Sequence, residues 1–61
     1  MMGFEEMLLE IYDTEKNIKI ESFFDSGWHF HIGDPYNGFT EYKNFDSLRK
    51  GVEWLYDTLV T

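Results

Sequence analysis

The amino-acid sequence predicts an α+β domain: a three-stranded antiparallel sheet flanked in sequence by two helices, with both helices on one face of the sheet. Apolar residues recur with the period of an α-helix near both ends of the chain. Between them, three short segments alternate with the period of a β-strand, and clusters of Gly, Pro, Asn and Asp separate these segments. All 61 residues, numbered 1–61, are predicted to form a single small domain.

The first helix is predicted over residues 4–15, with Asn17 as its stop signal. One apolar stripe recurs at helical spacing and consists of Phe4, Met7, Leu8, Ile11 and Tyr12. A separate acidic row follows the same helix and consists of Glu6, Glu10 and Asp13. The stripe predicts which side of the helix faces the core.

Strands are predicted over residues 18–24, 28–32 and 39–43. The face toward the helices is expected to carry Ile18, Ile20, Phe24, Trp28, Phe30 and Ile32. The opposite face is expected to carry Lys19, Glu21, Phe23, His29, His31 and either Phe39 or Tyr42. Because Phe39 and Tyr42 are separated by an odd number of positions, we expect a β-bulge or a sheet occupied on both faces.

The second helix is predicted to begin at a cap formed by Asp46 or Ser47. Its apolar face consists of Leu48, Val52, Leu55, Tyr56 and Leu59, with Trp54 near the edge. Gly51 lies inside this helix, where glycine costs about 1 kcal/mol relative to alanine. We expect Gly51 to allow close packing of the helix on the sheet.

The composition is typical of a protein-binding surface. Twelve of the 61 residues are aromatic, and the formal net charge is −7. A core this small hides roughly half of the rings, so the others are expected on the surface. The negative field opposes direct nucleic-acid binding and favours encounter with a protein that has a basic surface.

The small size also predicts a homodimer, because the chain has no cysteine and therefore no disulfide to stabilise it. The aromatic sheet face or the edge of the third strand could meet a second copy. No apolar run approaches the ~20 residues of a membrane span, so no membrane contact is expected. The absence of cysteine fits a reducing cytoplasm, where we expect the protein to be located.

The order α-β-β-β-α resembles that of double-stranded RNA-binding domains, whose second helix is basic. Here the corresponding helix carries Arg49 and Lys50 but also Asp46, Glu53 and Asp57. The resemblance therefore extends to the topology and not to RNA binding.

Residues 28–56 contain a strand, a Gly-Asp-Pro-Tyr-Asn-Gly turn, a strand bearing Thr40 and a capped helix. This pattern resembles the sheet and helix of HicB-type antitoxins. The chain departs from that family in having Arg49-Lys50-Gly51 in place of Glu-Glu-Ala and an additional first helix. The resemblance implies a small acidic protein that neutralises another protein by binding it.

His29 and His31 lie on the same side of one predicted strand, a geometry found in some zinc sites. A zinc site needs three or four ligands, and the further candidates are Glu21, Asp34 and Glu41. We favour two interface rings over a metal site, and no metal or cofactor is expected. Catalysis is not expected either, because Ser22, Ser26 and Ser47 have no surrounding motif that would activate a nucleophile.

The favoured interpretation is a non-catalytic inhibitor or antagonist of another protein, of the antitoxin or phage anti-defence kind. The predicted interface consists of Phe23, His29, His31, Tyr36, Phe39 and Tyr42. One alternative is a nucleic-acid mimic that blocks a nuclease through the acidic row, whose carboxylates would lie about 5–6 Å apart. The other alternative is a structural accessory subunit.

Overall fold

A computed structural model, which describes residues 2–61, confirms the order helix, three antiparallel strands, helix. The elements are α1 (Phe4–Asp13), β1 (Ile18–Phe23), β2 (Gly27–Asp34), β3 (Gly38–Phe45) and α2 (Leu48–Leu59). The strands are ordered β1-β2-β3, so β2 is central and both other strands are edges. No helix in the described residues is long and apolar enough to cross a membrane.

Both helices pack on one face of the sheet, as predicted. The buried core consists of Met7, Ile11, Phe30, Ile32, Val52 and Leu55. Phe30 and Ile32 alternate along β2 and therefore lie on the same face of the sheet. The buried residues of α1 and α2 join these two in one cluster, so both helices lie on this face. The opposite face is uncovered, because its residues Phe23 and Tyr42 are exposed. We call this opposite side the outer face.

The close approach of α2 to the sheet depends on Gly51. This glycine is buried, and a Cβ atom at its position would overlap the ring of Phe30. The prediction that Gly51 permits close packing is therefore confirmed. The helix begins at Ser47, whose hydroxyl accepts a hydrogen bond of 3.4 Å from the N–H of Lys50. Ser47, and not Asp46, is thus the cap.

The first helix is shorter than predicted, and two expectations for it are wrong. α1 ends at Asp13 because Glu15, and not Asn17, takes a left-handed conformation with φ 60° and donates its N–H to the carbonyl of Tyr12. Tyr12 was expected in the apolar stripe, but it is 79% exposed. The reason is that α1 packs mainly against α2, so only part of its stripe is covered.

The first hairpin also differs from its prediction. β1 ends at Phe23, which pairs with Gly27, so residues 24–26 form the loop. Phe24 was expected on the helix-facing side and is instead fully exposed in this loop. Gly27 has φ +88°, the conformation that closes a three-residue hairpin loop.

A β-bulge places both Phe39 and Tyr42 on the outer face. Along β2, Ile32 opposes Glu41 whereas Gly33 opposes Phe39, so Thr40 is the extra residue. Tyr42 opposes His31, and His31 and Gly33 lie on the same side of β2. The predicted bulge is confirmed, and the expectation that only one of the two rings would reach this face is wrong.

Candidate binding face

The outer face carries five aromatic or imidazole rings that touch one another. Three of them are well exposed: Phe23 at 47%, Phe39 at 42% and Tyr42 at 53%. His29 and His31 lie between them on the central strand, where both are partly buried. These are five of the six residues that the sequence assigned to an interface.

The five rings form one continuous row across the three strands. Phe23 meets His29 edge-on with 5.0 Å between ring centroids, and His29 lies 5.9 Å from Tyr42. His31 then lies 4.6 Å from Tyr42 and 5.3 Å from Phe39. Such contacts fix each ring against its neighbours, so little rotational freedom is left to lose when another molecule binds.

Hydrogen bonds fix the two histidines further. His29 is bonded through Nδ1 to the hydroxyl of Tyr42 at 2.7 Å and through Nε2 to the hydroxyl of Ser26 at 3.0 Å. His31 is bonded through Nε2 to Oε1 of Glu21 at 3.0 Å. The face therefore combines apolar ring surface with oriented polar groups, as protein-binding surfaces commonly do.

Glu21 is the charged centre of this network. Its second oxygen lies 3.4 Å from Nζ of Lys19. Partial burial raises the pKa of the Glu21 carboxyl, but the hydrogen bonds from Lys19 and His31 lower it by more, so the pKa lies below its ordinary value. Glu21 is thus ionised at neutral pH and holds the His31 ring in place.

Tyr36, the sixth predicted interface residue, lies apart from the row of rings. It is 96% exposed in the turn between β2 and β3. Asp34 organises this turn, since its Oδ1 accepts the N–H groups of Tyr36 and Asn37 at 2.8 Å each and its Oδ2 accepts the side-chain amide of Asn17 at 2.9 Å. The hydrogen bonds from Asn17 and Asn37 lower the pKa of Asp34 from 3.8 to about 2.

The acidic row is only partly available at the protein surface. Glu6 and Asp13 are exposed, whereas Glu10 is half-buried and accepts a long hydrogen bond of 3.5 Å from the hydroxyl of Tyr56 on α2. Burial of Tyr56, together with the adjacent Glu10 carboxylate, raises the pKa of this tyrosine. Glu10 therefore contributes to the contact between the helices as well as to the surface charge.

The metal candidates do not converge. Glu21 reaches His31, but Asp34 is engaged in its turn, and Glu41 opposes Ile32 and so lies on the helix-facing side of the sheet. Within residues 2–61, no group of three or more His, Asp or Glu side chains could hold a metal ion.

Sequence reasoning missed three exposed apolar side chains outside this face. Leu9 is 55% exposed, and Tyr12 and Phe24 are exposed at 79% and 109%. When Tyr12 and Phe24 are included, six of the 12 aromatic rings are exposed, the fraction that the composition predicted.

Comparison with known proteins finds no matching family model, no matching curated protein and no matching solved structure.

Proposed function

We propose that this protein is a non-catalytic antagonist that binds another protein through the outer face and acts by occupying it. The supporting observation is the row of five touching rings on the side of the sheet that the helices leave open. Large rigid rings provide contact area at a small entropic cost, and the hydroxyl and imidazole groups can orient a partner.

The chemistry of the partner follows from the charge of the chain. A net charge of −7 accelerates encounter with a basic protein surface. Exposed ion pairs contribute at most about 1 kcal/mol each, so the rings are expected to supply most of the affinity. The proposed partner therefore has an apolar groove with a basic rim, and this chain would act on it as an antitoxin-like or phage anti-defence-like antagonist.

A chain without cysteine suits the reducing cytoplasm, which we propose as the location of this protein.

Capture from the source cell tests this function with two matched sets of substitutions. The outer-face variant replaces Phe23, Phe39 and Tyr42 with Ser. The control variant replaces Tyr12 and Phe24 with Ser, because these rings are at least as exposed but lie elsewhere. We expect the outer-face variant to lose the partner and the control variant to keep it.

A third variant tests the acidic row directly, with Glu6→Gln, Glu10→Gln and Asp13→Asn. Loss of the partner with this variant alone would contradict the proposal and support the nucleic-acid mimic. The activity of the captured protein is then measured with and without an equimolar amount of the chain. Inhibition is expected for an antagonist, whereas unchanged activity would support an accessory subunit instead.

A further inference from the structure

The edge strand β3 offers an open line of backbone hydrogen-bonding groups. Residues 38–44 are all exposed, and only one side of this strand is paired, by β2. Exposed edges of this length invite pairing with another strand unless bulges or charges prevent it. The bulge at Thr40 lies near the start of β3, so the stretch from Glu41 to Phe45 remains regular.

The backbone groups that face outward along β3 can be assigned from the register. The N–H of Gly33 donates to the carbonyl of Asn17 at 2.8 Å, so Gly33 faces β1. Because hydrogen-bonding directions alternate along an antiparallel strand, Ile32 and Phe30 face β3, opposite Glu41 and Lys43. The backbone N–H and C=O of Tyr42, which lies between those two, therefore point away from the sheet.

We propose that two copies of this chain pair along β3 as antiparallel strands, about a two-fold axis at Tyr42. In this register, the outward groups of Tyr42 bond those of Tyr42 in the second copy. Glu41 then opposes Lys43 of the second copy, and Lys43 opposes Glu41. These opposite charges meet twice across the axis, at the closer, non-hydrogen-bonded positions of the ladder.

The charges of β3 are available for this contact. Within the described residues, neither Glu41 nor Lys43 is in an ion pair, and Lys43 lies 5.5 Å above the ring of Phe45. Residues 39–45 contain one acidic and one basic side chain, so this segment is neutral in a chain of charge −7. Two copies can therefore meet here without strong local repulsion.

The other edge strand also carries one basic and one acidic residue two positions apart, in the reverse order, but it is a poorer candidate. Lys19 and Glu21 on β1 already form an ion pair of 3.4 Å with each other, and Glu21 also binds His31. Pairing along β1 would add little new attraction between charges.

Pairing along β3 instead forms a six-stranded sheet, in which the outer faces of the two copies lie side by side and Tyr42 is at the centre. This dimer can be measured without any other protein.

Charge reversal tests the register by sedimentation equilibrium. Because a strand-edge contact is small, the measurement covers about 10 μM to 1 mM of protein. We expect a mass of two chains for the wild type, and we expect Lys43→Glu or Glu41→Lys to raise the dissociation constant by about tenfold or more. The double variant Glu41→Lys/Lys43→Glu restores both opposite-charge pairs and should restore the dimer. Lys19→Glu has the same charge change as Lys43→Glu on the other edge and should leave the dimer intact.

A cysteine cross-link tests the position of the axis, since the wild-type chain has no cysteine. Tyr42→Cys would bring two Cα atoms to about 5.5 Å, within the ~4.4–6.8 Å range of disulfides. With Asn44→Cys, the two Cα atoms would be about 14 Å apart, because the two Asn44 positions are offset by four residues along the paired strands. We expect mild oxidation to cross-link the first variant and not the second. A wild-type mass near 7.3 kDa at every concentration would overturn the proposal, as would a dimer broken by Lys19→Glu but not by Lys43→Glu.

Discussion

Replacing Gly51 with alanine should destabilise the fold, although alanine is the better helix former. Gly51 is buried where α2 crosses the sheet, and a new Cβ would overlap three atoms of the Phe30 ring. Phe30 is 0% exposed, so its ring has no free space to enter. The methyl group can be accommodated only if the helix moves away from the sheet or the ring leaves its preferred rotamer.

The expected loss in the free energy of unfolding is the difference between two effects. Overpacking a core costs about 1–3 kcal/mol, and a Cβ that overlaps three atoms of a buried ring belongs in the upper part of this range, at about 2–3 kcal/mol. The gain in helix propensity returns about 1 kcal/mol. The net loss of about 1–2 kcal/mol is large, because a chain of this length is expected to have a free energy of unfolding of only about 3–9 kcal/mol. The melting temperature should fall by about 4–16 °C.

Thermal and urea unfolding followed by circular dichroism measures this loss. Thr58→Ala is the matched control, since Thr58 lies on the exposed side of the same helix and its replacement should not destabilise the protein. In a double-mutant cycle, Gly51→Ala combined with Phe30→Leu should cost less than the sum of the single substitutions. A Gly51→Ala protein as stable as the wild type, or strictly additive effects, would refute the packing described here.

Three further outcomes are expected. The pKa of Asp34 is about 2 in the folded protein, and its ordinary value is 3.8. The ionised carboxylate therefore stabilises the fold above pH 3.8, and this stabilisation is lost as the pH falls toward 2. Urea unfolding across this range should be less pH-dependent in Asp34→Asn than in the wild type. Ser47→Ala should lower the free energy of unfolding by about 0.5–1 kcal/mol through loss of the helix cap, measured by urea unfolding. Zinc should raise the melting temperature no more in the wild type than in the His29→Ala/His31→Ala variant, since both imidazoles are already hydrogen-bonded on the sheet.

The periodicity of the sequence predicted the fold well wherever burial dictates the residue type. Val52 and Leu55 on α2 are buried as their spacing indicated, and Gly51 has the packing role assigned to it. Tyr12 was misplaced because helical periodicity identifies an apolar stripe but not how much of it a neighbour covers. Phe24 was misplaced because it continues a run of strand-forming residues, and only the pairing of Phe23 with Gly27 shows that it belongs to the loop.

The candidate site was predicted as a set of residues but not as an arrangement. Alternation alone placed Phe23, His29 and His31 on the same side of the sheet. The meeting of Phe39 and Tyr42 on that side depends on the bulge at Thr40, whose position is decided by pairing across strands. The hydrogen bond between His29 and Tyr42 depends on the same register and could not be derived from sequence spacing.

The most direct test of the central claim is an NMR titration of the ¹⁵N-labelled chain with the protein that it captures. If the partner lies on the outer face, the largest changes in amide signals should occur around His29, His31 and Tyr42. The amides of α1 around Glu6 and Asp13 should change little. Changes concentrated on α1, with the sheet signals unaffected, would contradict binding through the outer face.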